Sequence, residues 1–454
     1  MKNESYTTWS NRPAFLLATV GGAVGLGNLW RFPYIAGENG GGGFVLIYLA
    51  FVFLLGLPIL SSELLIGRKS HKSPLNSMRE LVNSHNANSL WKSIGWMSVL
   101  LPFLGFSYYV VVCAWAIDYL YLAIINSFET INGNTSAQLF SERTSHSSLQ
   151  IFLSGIFISM TVWVISKGVN NGIAKMSKIL MPMLFVLIII LVIYGMIQGE
   201  FLQAVEFLFK PDFSKINGQS VVMALGQALF SLAIGTGLIM TYGSYMPDHY
   251  SIKESAAIVC IGDTLVALLA GLAIFPIVFA NDLNPGEGPS LIFITLPIAF
   301  GSMPGGHLIG ILFFILLIFA AFTSTMGMLE PIVAWLEEKY PGKRRILSII
   351  AGFAIWLFAL GSILSFSTMS DIKPLAFLNI DRNFFGIIDF TVANLLLPIN
   401  ALLIAAFSGW VIKDSVLKEQ FSKDTSNWRI YWRFTNRFIA PIAIGIVLID
   451  LTLA

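Results

Sequence analysis

The chain of 454 residues is 56% hydrophobic and only 11% charged, with a mean hydropathy of +0.76. Soluble domains carry about 25% charged residues, so the composition excludes an ordinary soluble protein and indicates a polytopic membrane protein. The net charge of +2 argues for neither nucleic acid nor an acidic partner. Two cysteines, Cys113 and Cys260, both in apolar segments, indicate no disulfide framework.

A spanning helix needs about 20 mostly apolar residues. Eleven such segments are predicted, at about 13–37, 44–67, 94–125, 149–166, 173–197, 219–245, 255–281, 306–337, 344–366, 384–412 and 432–453. The first is long, glycine-broken and carries Arg31, so it does not read as a cleavable signal peptide. With the N-terminus inside, 21 Lys and Arg residues fall on the inner side. They include Arg68, Lys69, Lys72, Arg79 and Lys92 in the first inner connection, and Lys413, Lys418, Lys423, Arg429, Arg433 and Arg437 in the last. Five fall outside: Arg143, Lys210, Lys215, Lys373 and Arg382. Positive charge stays on the cytoplasmic side, so the N-terminus is expected in the cytoplasm and, after eleven crossings, the C-terminus outside. The outer tripeptide Asn134-Thr135-Ser136 reads as a polar loop. In the outer connection 282–305, the short run "LIFITLPIAF" reads as a helix dipping into a vestibule rather than as a crossing.

Two segments are interrupted at mid-depth. The first reads "GGAVGLGNLWRFPY" (21–34) and the sixth "VVMALGQALFSLAIGTGLIMTYGSY" (221–245), broken around "SLAIGTG". Backbone groups freed in lipid cost several kcal/mol unless the protein satisfies them. Paired interruptions in the two halves of a transporter mark its binding site: half-helix N-termini face an anion and unwound carbonyls face cations. Gly21 and Gly25 also fit GxxxG helix packing, but packing does not account for Asn28 and Arg31 in the same stretch.

These residues carry a resemblance. "GGAVGLGNLWRFPY" with "ENGGGGF", "ELLIGR" (63–68), "SYYVVVCAW" (107–115), "GQALFSLAIGTG" (226–237) and "FAAFTST" (319–325) resemble the neurotransmitter:sodium symporter family, which has the LeuT-type fold. The likeness runs along nearly the whole chain and is nearest to bacterial symporters of hydrophobic amino acids. It implies an all-α polytopic membrane protein, a single transporter domain over 1–454. Two inverted five-helix repeats, about 13–198 and 219–413, contain broken helices 1 and 6, and one further helix covers about 432–453. The family commonly has twelve spans; this chain has eleven, as some bacterial members do.

The resemblance places a substrate between the broken helices and segments 3 and 8. Its carboxylate would meet the backbone N–H groups of Leu26 and Gly27, with the Tyr109 hydroxyl beside them; helix N-termini attract anions. Monoamine carriers have aspartate at the position matching Gly25, so glycine here implies an amino acid. Gly22, Gly105, Val112, Phe230, Ala233, Thr236, Ser324 and Met328 would line the side-chain subsite. Gly105 and Thr236 replace bulkier residues of the leucine-binding member and imply room for large apolar or aromatic groups, Thr236 adding some polarity.

Two sodium sites are implied, both of oxygen ligands that suit a hard cation. The first uses Ala23, Asn28, Ser231, Asp263 and the substrate carboxylate; the second uses Gly21, Val24, Ala320, Thr323 and Ser324. Asp263 stands where the family usually has asparagine, while Ala267 fills the position where chloride-independent relatives carry a carboxylate. Asp263 is therefore read as built-in negative charge, and chloride is not expected. Arg31 and Asp389 match the outer gate, above a Tyr109–Phe230 lid. Trp9, Tyr245 and Glu338 match inner-gate positions, where Tyr6 replaces an expected arginine. Gly172 and Pro182 suit a fifth segment able to unwind.

Other classes fit less well. A channel needs a continuous polar stripe, which no segment has. None of the five histidines lies mid-span or at metal-ligand spacing, so an enzyme is not indicated. A proton-coupled transporter using Asp263 is the nearer rival. The expected setting is the cell membrane, with lipid and a small-molecule amino acid as partners and no obligatory protein partner.

Overall fold

The computed structural model describes residues 7–286, 291–376 and 381–453; Lys2 and Tyr6 lie outside them, as do residues 287–290 of the outer connection. No β-strand occurs among the described residues. Arg12–Ala23 (α1) and Gly27–Glu38 (α2) make the first crossing, bent by 49° at the break. The side chain of Asn11 accepts the Ala14 N–H at the start of α1, and Pro13 in the first turn brings its fixed φ without an orphan N–H. α1 ends at Val24, whose ψ of 116° is extended. α2 then opens with a π turn, Gly27–Arg31, a winding frequent at functional sites.

The chain continues through Gly42–Ser70 (α3), Ser89–Ile124 (α4), Ser147–Ile165 (α5) and Val169–Gln198 (α6). Gly218–Ser231 (α7) and Leu238–Ser244 (α8) flank a break at residues 232–237. Ile252–Ala280 (α9), Gly306–Lys339 (α10), Arg344–Leu364 (α11), Phe384–Val411 (α12) and Ser426–Asp450 (α13) complete the bundle. Nine unbroken helices among the described residues are long and apolar enough to cross a membrane. With the two broken crossings they give the eleven segments that hydropathy predicts.

α4 and α10 pack along one another and are the most enclosed helices, while α1 lies against α9 and α10, and α8 against α3. α6 and α13 form the rim: Ile189, Ile193, Ile197, Ile442 and Ile446 are exposed. Lipid is as apolar as leucine, so exposed isoleucine is at home there.

The connection expected to lie outside is more ordered than a polar loop. Asn132 and Thr135 form a capping box that starts a helix at Gly133–Ser145. That helix includes Asn134, and the Ser136 hydroxyl donates to Ile294 O at 2.7 Å. Arg143 pairs with Asp118, fastening the helix to α4. The run at 291–300 dips as expected: Leu291, Ile292, Phe293, Leu296 and Phe300 are buried, and a short helix covers Thr295–Ser302.

Candidate functional site

The two breaks face each other, and the protein itself satisfies their freed backbone groups. Ala233, Gly235 and Gly237 lie at positive φ, at 52°, 85° and 78°. A Cβ on Gly237 would sit 2.2 Å from Ser98 O, so the turn requires glycine there. The Gly235 N–H donates to Glu63 Oε1 at 2.7 Å, and its carbonyl accepts from Asn400 Nδ2 at 2.6 Å. Gly27 O accepts from Gln227 Nε2 at 3.0 Å. The Leu26 N–H donates to the Tyr109 hydroxyl, and the Gly25 N–H to Asn28 Oδ1, each at 3.0 Å. Glu63, Asn400 and Gln227 are fully buried; in lipid these bonds make irregular backbone affordable.

Between the breaks lies a cavity of about 50 Å³. Gly22, Ala23, Gly25, Leu26, Gly27, Gly105, Tyr109, Phe230, Ala233, Thr236, Ser324 and Met328 line it. Leu101, Pro102, Tyr108, Leu238, Val392 and Leu397 complete the wall, and no sequence signal distinguishes them from ordinary packing residues. Val112 and Ser231 are buried but outside the lining. A Cβ on Gly25 would lie 2.4 Å from Ser324 Oγ and 2.8 Å from the Tyr109 hydroxyl, whereas one on Gly105 would meet only Val392 Cγ1, at 3.9 Å. The Thr236 hydroxyl donates to Ala233 O at 2.6 Å. Its proton is thus used on the backbone, and the wall is less polar than the residue type suggests.

A polar cluster sits beside the cavity. Ser231 Oγ donates to Asp263 Oδ2 at 2.6 Å, Asn28 Nδ2 to Asp263 Oδ1 at 2.8 Å, and Asn28 Nδ2 also approaches Ser231 Oγ at 3.0 Å. The Tyr48 hydroxyl reaches Ser231 Oγ at 3.3 Å. Asp263 is fully buried, and no ion pair among the described residues involves it. A buried carboxylate held only by neutral donors is costly and suits a small hard cation.

A second oxygen group gathers where α10 meets the first break. Ser324 Oγ donates to Val24 O at 3.0 Å, and Thr323 Oγ1 to Ala320 O at 2.9 Å. A Cβ on Gly21 would lie 3.4 Å from Thr323 Cβ and 2.8 Å from Met181 Sδ, so glycine permits this approach. Among the described residues no group of three or more His, Cys, Asp or Glu could hold a metal. The donors here are carbonyl, hydroxyl, amide and single carboxylate oxygens.

The sequence pattern of the sodium:neurotransmitter symporter family matches residues 6–137 and 137–453. The chain belongs to this family. It is 36% identical to the uncharacterised sodium-dependent transporter YhdH of Bacillus subtilis over 99% of each protein. It is 28% identical to the sodium-dependent serotonin transporter of Drosophila melanogaster over 78% of this chain and 63% of the other. The crystal structure of MhsT in complex with L-phenylalanine superposes with a TM-score of 0.88 at 37% identity, covering 98% of this chain and 99% of that one. The chain is thus a LeuT-type, multi-pass membrane transporter and not an enzyme.

Around this symporter's cavity, the residues expected at the gates are placed as follows. The Arg31 guanidinium lies 4.4 Å over the Phe230 ring, and its buried Nη1 has no hydrogen-bond partner among the described residues. Arg31 and Asp389 do not form an ion pair within 4 Å. At the positions expected for the inner gate, Trp9 donates from its amide to Tyr245 O and from Nε1 to Tyr242 O, each at 3.0 Å. The Tyr245 hydroxyl donates to Glu330 Oε1 at 2.8 Å. Fully buried Glu330 pairs with Arg344, which also reaches Glu337 Oε2 and Ile165 O, both at 2.8 Å. Glu338 instead accepts from Ser73 and Asn76. Sequence reasoning missed Glu330 and Glu63. The available signal was a carboxylate inside an apolar run, "GMLEPIVAW" and "ILSSELLIG", since charge at depth marks function or a partner.

Proposed function

We propose that this protein couples sodium to the import of hydrophobic or aromatic L-amino acids by alternating access. The observation that carries the reading is the cavity between two broken helices. Its wall is apolar and glycine-rich, and Gly25 leaves no acidic side chain to take the place of a substrate carboxylate. That carboxylate would meet the half-helix N-terminus at Leu26 and Gly27. The phenylalanine in the MhsT complex supports the substrate class. The oxygen cluster of Ala23, Asn28, Ser231 and Asp263 would take one sodium, and that of Gly21, Val24, Ala320, Thr323 and Ser324 a second. A substrate carboxylate shared with the first sodium makes each neutralise the other in a low-dielectric site. Asp263 supplies the negative charge, so chloride is not required.

Repeats covering about 13–198 and 219–413 would rock about this site, with the helix at about 432–453 outside them. The Lys and Arg distribution puts the N-terminus in the cytoplasm of a cell whose plasma or inner membrane holds the protein, and the C-terminus outside. Proteoliposomes with an inward sodium gradient at fixed pH should accumulate labelled leucine, phenylalanine or tryptophan. Equal uptake with potassium in place of sodium refutes the coupling. The fully buried Asp263 carboxylate favours one rival, a proton-coupled carrier; accumulation driven by a pH gradient without sodium would establish it.

A further inference from the structure

The connector between α12 and α13 holds a small basic pocket apart from the transport site. Its volume is about 330 Å³, and Asp414, Leu417, Lys418, Ser426, Arg429 and Arg433 form most of its lining. Its one acid, Asp414, is already paired with Arg433. Of the other connector acids, Glu419 pairs with Lys69, and Asp424, which accepts from the Ser251 hydroxyl, is not in the pocket's lining. Among the described residues neither Lys418 nor Arg429 has an ion pair, and the buried Arg433 Nε has no hydrogen-bond partner. The pocket therefore presents uncompensated positive charge. Ile430, also in its lining, is 68% exposed, and Phe434, one turn further along the same helix, is 54% exposed. Trp410 and Phe438, packed edge to face, are exposed close by in sequence. Basic groups and bare apolar side chains on one short helix belong at the boundary between headgroups and acyl chains.

We infer that this pocket seats the phosphate headgroup of an anionic phospholipid of the inner leaflet. The inference rests on the inside assignment of the connector. The positive-inside rule alone accounts for basic residues on this side. It does not account for their convergence on a pocket whose only carboxylate is spent. Free phosphate offers the same charge but nothing for Ile430 and Phe434 to cover, which favours a lipid. The connector also clamps the transport machinery. Arg68 at the inner end of α3 donates to Gln420 and to Tyr250 O, Lys69 pairs with Glu419, and Lys423 donates to His249 O. A lipid seated here would brace that clamp.

The test uses the purified full-length protein in mixed micelles of fixed ionic strength, containing either phosphatidylglycerol or phosphatidylcholine, with thermal unfolding and retained lipid as readouts. Phosphatidylglycerol should raise the midpoint by about 3 °C, as expected for a ligand that binds the folded state, and should co-purify. Lys418→Gln/Arg429→Gln removes two groups without ion-pair partners and should abolish that lipid-dependent difference; if the double variant does not fold, Lys418→Gln alone should reduce it. Lys175→Gln/Lys178→Gln, at the inner end of α6, should leave it intact. No preference for phosphatidylglycerol overturns the inference. So does an undiminished difference in the Lys418 variants, or an equal loss in the Lys175/Lys178 variant, which would mean general surface charge. Inorganic phosphate reproducing the shift in phosphatidylcholine would assign the pocket to free phosphate and also overturn it. None of these outcomes depends on sodium-coupled uptake, so failure here and failure of the transport proposal are separable.

Discussion

Gly25 is crowded where Gly105 is open. A methyl at position 25 would press on Ser324 Oγ and the Tyr109 hydroxyl, the two groups that hold Val24 O and the Leu26 N–H. A buried polar group left unmade costs about 1–3 kcal/mol. Gly25→Ala should therefore weaken equilibrium binding of a labelled hydrophobic amino acid by roughly tenfold or more; binding unchanged by this variant would remove Gly25 from the site. Asp263 makes a different demand. Its carboxylate accepts from Asn28 and Ser231 and has no ion-pair partner among the described residues, so Asp263→Asn keeps the shape, removes the charge and turns one acceptor oxygen into a donor, which the Ser231 hydroxyl can accept by turning its own proton away. Uptake measured in chloride and in gluconate should be equal for the natural protein. The variant should lose uptake in both or retain it only with chloride, and full activity in gluconate would refute the charge role.

At the scale of elements, the broken helices were legible as glycine-rich interruptions at mid-depth, and their positions in the structure agree. What holds them open was not legible. Glu63 reaches Gly235 across 172 residues, Asn400 across 165, and Gln227 reaches Gly27 across 200; periodicity and composition are local and carry no information at that range. The same limit applies to the proposed outer gate. Asp389 lies at the end of a helical stretch that turns into a π turn at Thr391–Leu396, a local winding that residue pattern alone does not announce. If Arg31 and Asp389 meet only on occlusion, their interaction contributes to closure rather than to initial binding. Asp389→Asn should then leave equilibrium substrate binding within a few-fold while crippling uptake. A parallel loss of both would place Asp389 in the binding site, and intact uptake would mean that it gates nothing.

At the end of the bundle proposed to face the cytoplasm, residues from distant elements are tied together. Trp9 rests on the Tyr242 and Tyr245 carbonyls, Tyr245 on Glu330, and Glu330 on Arg344, which also reaches the end of α5. Removing the cation leaves a fully buried carboxylate without a charge partner, at a cost of about 3–5 kcal/mol. Arg344→Gln should thus favour opening toward the cytoplasm and lower accumulation. A cysteine placed at Ser244, which is buried, should label faster with a thiol reagent in that background, against little interference from buried Cys113 and Cys260. Unchanged labelling would mean that this network does not hold the inner side shut. Eleven apolar segments, the two of them that break, and the family were all legible along the chain. Each of these is written in local hydropathy, in glycine placed where a helix should continue, or in contiguous motifs. Which carboxylate, amide and guanidinium answer each buried polar group was written nowhere along the chain. Those partners are joined through space, and a buried hydrogen bond depends on where two side chains end rather than on how far apart they lie along the chain.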